Sequence, residues 1–184
     1  MILNVIKEDN DKMVSSLNFD KDKFVGEVGE KLGRQYVEQL GYTFISGPPD
    51  GKLKEYDLLC SHGEHLRTFE CKVDTLCKPP YKGFDPKTGE PKIMTPDTFN
   101  IFIEFESRKK DSGIRTTKSD IWVYIFYYLG EIWTIPTPKL RKLIADNDFI
   151  TARGGDKKTS MGYLIKKNKF KEHFKKTDFQ LNIV

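Results

Sequence analysis

Apolar residues recur every fourth position between Asp22 and Leu40, and this is the clearest periodic pattern in the chain. The recurring residues are Phe24, Val28, Leu32, Tyr36 and Leu40. Because an α-helix turns once every 3.6 residues, the spacing predicts an amphipathic helix with one buried stripe. Asp20 or Asp22 suits the start of this helix, and Gly41 suits its end.

Two short apolar runs after the helix predict a β-hairpin. The runs are Tyr56 to Cys60 and Leu66 to Val73, and the cluster between them contains Gly63, which is free to adopt a positive φ. Side chains alternate along a strand, so one face of the second run carries Leu66, Thr68, Glu70 and Lys72, and the other carries Phe69, Cys71 and Val73.

Antiparallel pairing in this hairpin places Asp57 opposite Phe69 or Glu70. Two carboxylates and the Lys72 ammonium group then converge beside a hydrophobic sheet, where charge is costly unless a metal ion or a substrate uses it. A cross-strand salt bridge at the margin of the sheet is the simpler interpretation, because Glu-x-Lys is a common tripeptide.

The remaining pattern predicts an α/β fold with a mixed central sheet flanked by helices. Further strands are predicted at Tyr42–Ile45, Thr98–Ser107 (in the same sheet), Ile121–Leu129 with Glu131–Ile135 around Gly130, and Met161–Ile165. Further helices are predicted at Pro138–Asp146, with Leu140, Leu143 and Ile144 inward, and at Asn168–Lys176, with Phe170 and Phe174 inward.

The length of the chain and the distribution of its charges predict how the domain is organised. The 184 residues predict a single domain spanning 1–184. Within it, residues 1–22 form an N-terminal arm, residues 77–97 a long irregular loop rich in proline and lysine, and residues 151–184 a basic segment. That last segment holds nine Lys and Arg against three Asp and Glu, although the whole chain has a net charge of only +4. A basic tail on a nearly neutral body is typical of a protein that binds a phosphate-bearing partner.

Three cysteines without paired C-x-x-C spacing indicate a reduced protein and therefore a cytoplasmic location. No secretory signal and no membrane-spanning apolar run is visible, so we expect no membrane association. No phosphate-binding glycine motif follows a predicted strand, so we expect no nucleotide cofactor.

Residues 24–75 resemble the PD-(D/E)xK nuclease superfamily, and within it the archaeal-type Holliday junction resolvases and related phage nucleases. The matching features are a Glu-bearing first helix that ends at Gly41-Tyr42, Asp57, and the Glu70-Cys71-Lys72 tripeptide, in that order. The resemblance implies a restriction-endonuclease-like core and a DNA endonuclease that hydrolyses phosphodiester bonds. The long proline-rich loop and everything from Thr98 onward depart from the resolvase pattern, so substrate choice stays open.

The resemblance also implies the roles of the site residues. Asp57 and Glu70 would hold Mg²⁺ or Mn²⁺, which hard carboxylate oxygens select, with help from the Cys71 carbonyl and from Glu30 through water. Lys72 would position or deprotonate the attacking water and stabilise the developing charge. The catalytic set is then Glu30, Asp57, Glu70 and Lys72, and the Cys71 thiol is expected to pack in the core.

Three carboxylates leave alternatives open. Glu27 is a second glutamate of the first helix, but helical geometry turns it towards solvent and Glu30 towards the margin of the buried face. Asp50 spells a "PD" with Pro49, but it lies in a Pro/Gly turn where Asp is common. Glu104 becomes an additional site acid if its strand neighbours the hairpin.

Basic residues outside the site are expected to contact the phosphate groups of the DNA backbone. They are Arg108, Lys109, Lys110, Arg115, Lys118, Lys166, Lys167 and Lys169. The expected activity is structure-selective, as in a junction resolvase, and two symmetry-related cuts favour a homodimer. The alternatives are a DNA exonuclease or restriction-type nuclease of the same superfamily, or a non-catalytic nucleic-acid-binding protein on a nuclease fold.

Overall fold

The structure is a computed structural model, and it describes residues 21–47, 55–94, 100–154 and 158–178. Side chains of the first helix are described from residue 26 onward. The predicted N-terminal arm up to residue 20, and Asp50 with its Pro/Gly turn, lie outside the described residues.

In the described chain one α-helix precedes nine strands, and two further α-helices lie among the last three strands. The helices are α1 (Lys21–Gln39), α2 (Thr137–Ala145) and the single turn α3 (Lys167–Phe170). The strands are β1 (Thr43–Ser46), β2 (Leu58–His62), β3 (His65–Asp74), β4 (Tyr81–Phe84), β5 (Pro91–Met94), β6 (Asn100–Ser107), β7 (Lys110–Asp111), β8 (Ile121–Phe126), β9 (Glu131–Pro136), β10 (Thr151–Gly154), β11 (Ser160–Lys166) and β12 (Lys175–Asp178). In the described part of the chain, no helix is both long and apolar enough to cross a bilayer.

A six-stranded sheet forms the centre of the fold, with strand order β1-β2-β3-β8-β9-β12. β3 and β8 are parallel and the other neighbours are antiparallel, so the predicted mixed sheet is confirmed. α1 packs on one face with Val123, Ile125 and Ile132 of the sheet. α2 packs on the opposite face, where Leu140 and Leu143 meet Trp122 and Ile135. The α/β class with flanking helices is therefore confirmed.

The first helix is confirmed within a residue of its predicted bounds, and Gly41 ends it with a φ of 85°. Its buried face contains Leu32 and Tyr36 as expected, but the predicted stripe is wrong at Leu40, which is exposed. Val37 is fully buried instead, because a repeat of 3.6 residues drifts away from a strict spacing of four.

Close packing between α1 and β3 depends on a small residue in the helix. A Cβ atom on Gly33 would lie 2.3 Å from the Cys71 Sγ atom, so only glycine fits without movement. This contact fixes the distance between the helix and the strand that carries Glu70 and Lys72.

A second sheet, with strand order β10-β11-β6-β7, packs over the α2 side of the first. The prediction that Thr98–Ser107 joins the central sheet is therefore wrong. β6 pairs with β11 along its whole length, and alternate residues Ile101, Ile103 and Phe105 enter the core between the two sheets. Strand periodicity fixes which side chains are buried, but it does not state which strand is the neighbour.

Two predictions about irregular and helical segments are also corrected. The predicted irregular loop of residues 77–97 instead contains β4 and β5, which pair with each other as a two-stranded ribbon, and residues 95–97 lie outside the described residues. Residues 168–176 are not a continuous helix, because α3 gives way to a 3₁₀ turn and then to β12, an edge strand of the central sheet. Phe170 and Phe174 are nevertheless buried as expected.

Candidate functional site

The β2–β3 hairpin brings Asp57 to the middle of β3. Leu58 pairs with Phe69, and the Asp57 amide donates to the Phe69 carbonyl at 2.9 Å, so Asp57 lies opposite Glu70. The Asp57 Oδ2 atom also accepts a hydrogen bond from the Cys71 amide at 2.8 Å. Both carboxylates are buried, so the convergence expected from the sequence occurs.

Glu70 and Lys72 form an ion pair along the same face of β3, with 2.6 Å between Oε1 and Nζ. Burial raises the pKa of Glu70, Lys72 opposes this rise, and Asp57 adds to it. Burial by itself would lower the pKa of Lys72, but the Glu70 and Asp57 carboxylates outweigh it and hold that pKa above its ordinary value. Two carboxylates and a charged ammonium therefore share this pocket.

A buried hydroxyl network holds the second oxygen of Glu70. The Thr117 hydroxyl donates to Glu70 Oε2 at 2.9 Å. Ser119 Oγ lies 3.1 Å from Thr117 Oγ1 and 3.2 Å from Thr137 Oγ1, and all three residues are buried. The Arg141 guanidinium donates to the Thr117 carbonyl at 2.5 Å, which fixes the loop that carries Thr117. Glu70 is thus oriented from both of its oxygens.

Asp57, Glu70 and Lys72 line one cavity of about 250 Å³. Its lining residues are Gly26, Glu30, Asp57, Glu70, Cys71, Lys72, Ser112 and Gly113. Of the two helix glutamates, Glu30 lines the cavity and is partly buried, whereas Glu27 is exposed and lies outside the lining. Helical geometry therefore ranked the two glutamates in the order in which the structure places them relative to the cavity.

Glu104 reaches the edge of the site from the second sheet. Its Oε1 atom accepts a hydrogen bond from the Ser112 hydroxyl at 2.6 Å, and Ser112 lines the cavity. The Glu104 carboxylate is also close enough to contribute to the raised pKa of Lys72. The sequence predicted Glu104 as an additional site acid only if its strand lay next to the β2–β3 hairpin in the same sheet. Its strand, β6, belongs to the second sheet instead. Its proximity comes from packing between the sheets.

The donor set suits a hard divalent cation. Asp57 and Glu70 line the cavity and could offer carboxylate oxygens, and Cys71, which also lines it, could offer its carbonyl. Oxygen ligands of these kinds are the ones that Mg²⁺ and Mn²⁺ prefer. Within the described ranges, no three His, Cys, Asp or Glu side chains form a ready-made metal cluster. The set that fits is therefore two carboxylates with a backbone carbonyl, and Glu30 at the cavity wall.

The Cys71 thiol points away from this chemistry. Its side chain packs against Gly33 on the α1 side of the sheet, within the apolar cluster that also contains Leu32. Burial, reinforced by Asp57 and Glu70, raises the pKa of the thiol well above its ordinary value. A thiol held in its protonated form is a poor nucleophile, which agrees with the packing role expected from the sequence.

The basic candidates between residues 108 and 118 lie on the loop that closes one side of the cavity. Arg108 and Lys109 form the β6–β7 turn with positive φ values, and both are exposed along with Lys110. Arg115 forms an ion pair with Asp111 at 2.9 Å, and Lys118 pairs with Glu55. Ser112 and Gly113 of the same loop line the cavity, so these charges stand beside the candidate site.

The C-terminal candidates behave differently. Lys166 and Lys169 are exposed, but Lys167 is buried, and its Nζ atom lies 4.2 Å from the centroid of the Phe126 ring. Little of Lys167 is therefore exposed to a phosphate group, and its role as a DNA contact stays a prediction. A run of lysines does not reveal which of them turns inward to stack on an aromatic ring.

Two polar residues of the site were not predicted as such. Thr117 and Ser112 lie in the segment between two predicted strands, and nothing in the local pattern links either residue to Glu70. The signal that separates them is three-dimensional, because Thr117 lies 47 residues from Glu70 along the chain. Within the chain itself, only the concentration of Ser and Thr between two strands pointed to this loop.

Comparison with known proteins gives one structural likeness. No protein family model matches the chain, and no curated protein sequence matches it. The solved structure of a bacterial homing endonuclease, I-Ssp6803I, matches with a TM-score of 0.42 and 13% sequence identity, over 78% of this chain and 77% of the other. At this level of similarity the match assigns no activity to the present chain.

Proposed function

We propose that this protein is a divalent-metal-dependent DNA endonuclease that hydrolyses phosphodiester bonds. One observation carries the proposal: Glu30, Asp57, Glu70 and Lys72 line a single cavity, with the carboxylates of Asp57 and Glu70 facing each other across a hairpin. Buried, paired charges in a cleft are typical of functional sites. A salt bridge with a purely structural role needs neither the second carboxylate nor a cavity.

Asp57, Glu70 and the Cys71 carbonyl would hold Mg²⁺ or Mn²⁺, with Glu30 acting through water. The bound cation would supply Lewis-acid activation of the phosphoryl group and a water nucleophile at neutral pH. Lys72 places a positive charge next to Glu70, where negative charge develops on the phosphate in the transition state. Thr117 keeps the Glu70 carboxylate in one orientation.

The basic loop from Arg108 to Lys118 would bind the DNA backbone on either side of the scissile bond. Its position beside the cavity supports this, because Ser112 and Gly113 belong to both. Phosphate contacts of this kind position DNA without reading its sequence. We propose selectivity for branched DNA and a homodimer that presents two sites to one junction.

The test is cleavage of labelled DNA with and without a metal ion. We expect a four-way junction to be cut in Mg²⁺ or Mn²⁺, to remain intact in EDTA, and to be bound but not cut in Ca²⁺. Cleavage that persists in excess chelator would remove the metal from the proposal. Binding without cleavage in any of these metals would favour a non-catalytic nucleic-acid-binding protein.

A linear duplex of matched sequence, labelled at one end, separates the remaining alternatives. Products shortened one nucleotide at a time from the ends would favour an exonuclease. Discrete internal cuts in the duplex would favour a restriction-type enzyme. Sedimentation of the protein alone gives its oligomeric state, and a monomer at the concentration of the assay would overturn the dimer without affecting the metal site.

A further inference from the structure

The β4–β5 ribbon carries an apolar face that has no partner among the described residues. Lys82 pairs with Ile93 and Phe84 pairs with Pro91, so these four side chains share one face. Phe84 is 70% exposed and Ile93 is 57% exposed. The ribbon pairs with no other strand in the described part of the chain.

The opposite face of the ribbon is partly filled by its own side chains. Tyr81 and Met94 close over Gly83, where an added Cβ atom would lie 2.7 Å from the Met94 Cγ atom. Asp85 fixes the tip, because its Oδ1 atom accepts the Lys87 amide at 2.8 Å and its Oδ2 atom lies 3.1 Å from the Lys92 Nζ atom. The face with Phe84 and Ile93 is therefore the more open of the two, since Tyr81 on the other face is 48% exposed.

The base of the ribbon is anchored to the strand that carries the candidate site. Asp74, the last residue of β3, accepts hydrogen bonds from the Leu76 and Cys77 amides at 2.7 and 2.8 Å. The Tyr124 hydroxyl donates to the same carboxylate at 3.1 Å, and Cys77 is fully buried. Because Asp74 is two residues from Lys72, the ribbon starts from a fixed point next to the cavity.

Positive charge accompanies the open apolar face. Lys82 lies on that face and Lys87 at the tip, and among the described residues only Lys92 of the ribbon's lysines forms an ion pair. Lysine is depleted from protein–protein interfaces, whereas lysine beside an exposed aromatic ring suits DNA, with phosphates for the ammonium groups and bases for the rings. Charge complementarity therefore favours DNA over a second copy of the chain.

We propose that the β4–β5 ribbon is a DNA-binding arm whose Phe84 and Ile93 contact unstacked bases, with Lys82 and Lys87 on the adjacent phosphates. This rests on the proposed function and names how that site selects its substrate. A branch point presents bases that an aromatic side chain can stack on, and apolar wedges are known to enter between base steps. A fully stacked linear duplex exposes far fewer bases for the apolar face of the ribbon to contact.

The experiment measures binding rather than cleavage. A fluorescent four-way junction and a linear duplex of matched sequence are titrated with the full chain in Ca²⁺, and again in EDTA. Since base stacking on an aromatic side chain contributes about 1–3 kcal/mol, the double variant Phe84→Ser/Ile93→Ser is expected to bind the junction about 5- to 150-fold more weakly. The expected loss for the duplex is smaller.

The matched control is Leu66→Ser/Ile150→Ser, because Leu66 is 57% exposed and Ile150 is 71% exposed. This control is expected to bind both DNAs as the unmodified chain does. Equal junction affinity for the ribbon variant and the control would overturn the proposal. A fall in the melting temperature of the ribbon variant alone would show that the chain itself covers this face, and a loss of self-association would show that a second copy does; either result would also overturn it.

The outcome is separable from that of the proposed function. A chain that cuts DNA in Mg²⁺ but whose ribbon variant binds the junction normally is a nuclease without this arm. A chain that cuts nothing, but whose ribbon variant alone loses junction binding, retains the arm and loses the nuclease.

Discussion

The two faces of β3 carry residues of opposite character only one position apart. On one face, Phe69 and Cys71 pack against α1 so closely that Gly33 is required. On the other, Glu70 and Lys72 pair with each other in a cavity also lined by Asp57. The first face needs shape and the second needs charge, and the strand holds both because its side chains alternate.

The apolar face of β3 positions the charged one. The Cys71 amide donates to Asp57 Oδ2, while the Cys71 thiol contacts Gly33 on the opposite side. A shift of α1 would therefore move the backbone amide that donates a hydrogen bond to Asp57. The roles of the two faces can be separated by substituting each face and measuring activity and stability in the same variants.

The largest expected effect belongs to the charged face. Glu70→Gln and Asp57→Asn keep the shape of each side chain and remove a charge from the proposed cation site. We expect each to reduce cleavage by about 100-fold or more, the size of effect seen when one preorganised electrostatic group is removed. Rates of junction cleavage under single-turnover conditions measure it.

Asp50→Asn is the control, since Asp50 belongs to the alternative "PD" pair. It is expected to retain most of the activity. If Asp50→Asn were inactive and Asp57→Asn active, the assignment of the hairpin carboxylate would be reversed.

The next effect belongs to the packing face. Gly33→Ala places a Cβ atom 2.3 Å from the Cys71 Sγ atom, and overpacking of this kind costs about 1–3 kcal/mol of unfolding free energy. Urea denaturation measures the loss. The double variant Gly33→Ala/Cys71→Ala removes the sulfur atom and is expected to recover part of it.

Gly26→Ala is the matched control on the same helix, because an added Cβ atom there meets nothing within 4 Å. It is expected to leave stability unchanged or to raise it by about 0.5–1 kcal/mol. A Gly33→Ala variant as stable as Gly26→Ala would mean that the α1–β3 contact is not tight.

A smaller effect is expected for the hydroxyl that orients Glu70. Thr117→Val keeps the shape and removes the hydrogen bond to the carboxylate, and such bonds to charged groups contribute about 1.5–3 kcal/mol. We expect weaker Mn²⁺ binding by calorimetry and about 10-fold slower cleavage. Thr117→Ser restores the hydroxyl and is expected to recover both measurements, whereas a purely steric role for Thr117 would make valine the better replacement.

The smallest effect is expected from the exposed basic residues. Arg108, Lys109 and Lys110 lie on the cavity loop, so replacing all three with Ser is expected to weaken DNA binding and flatten its salt dependence, by about 0.9 in slope for each phosphate that is no longer neutralised. Lys166, Lys169 and Lys171 are exposed on another segment, and their replacement is expected to change the slope less. Equal slopes for the two triple variants would show that neither segment is favoured by its position.

The sequence predicted the parts of the molecule that depend on local pattern. The bounds of α1, the hairpin around Gly63, the alternation in β3 and the hairpin around Gly130 all follow from periodicity and turn chemistry. The gathering of Asp57, Glu70 and Lys72 followed from the same alternation, because a hairpin fixes which residues face each other.

The errors arose where the neighbour is distant in sequence. The partner of β6 is β11, and nothing in the Asn100–Ser107 pattern distinguishes that strand from β3. The segment around Lys175 has few strand-forming residues, yet it pairs with β9 at the edge of the central sheet, where pairing outweighs local preference. Thr117 reaches Glu70 only because β8 returns beside β3.

The parallel pairing of β3 with β8 has a consequence for how the protein acquires its site. A parallel neighbour cannot be reached through a tight turn, and here the connection runs through residues 75–120, including the ribbon and two strands of the second sheet. Contacts of such large sequence separation form slowly, since the entropy of closing a long loop is lost before the contact compensates for it. The hairpin with Asp57 and Glu70 can form early, but Thr117 and the cavity loop join it only when the second sheet is in place. A chain still emerging from the ribosome therefore holds the carboxylates without the surroundings that orient them.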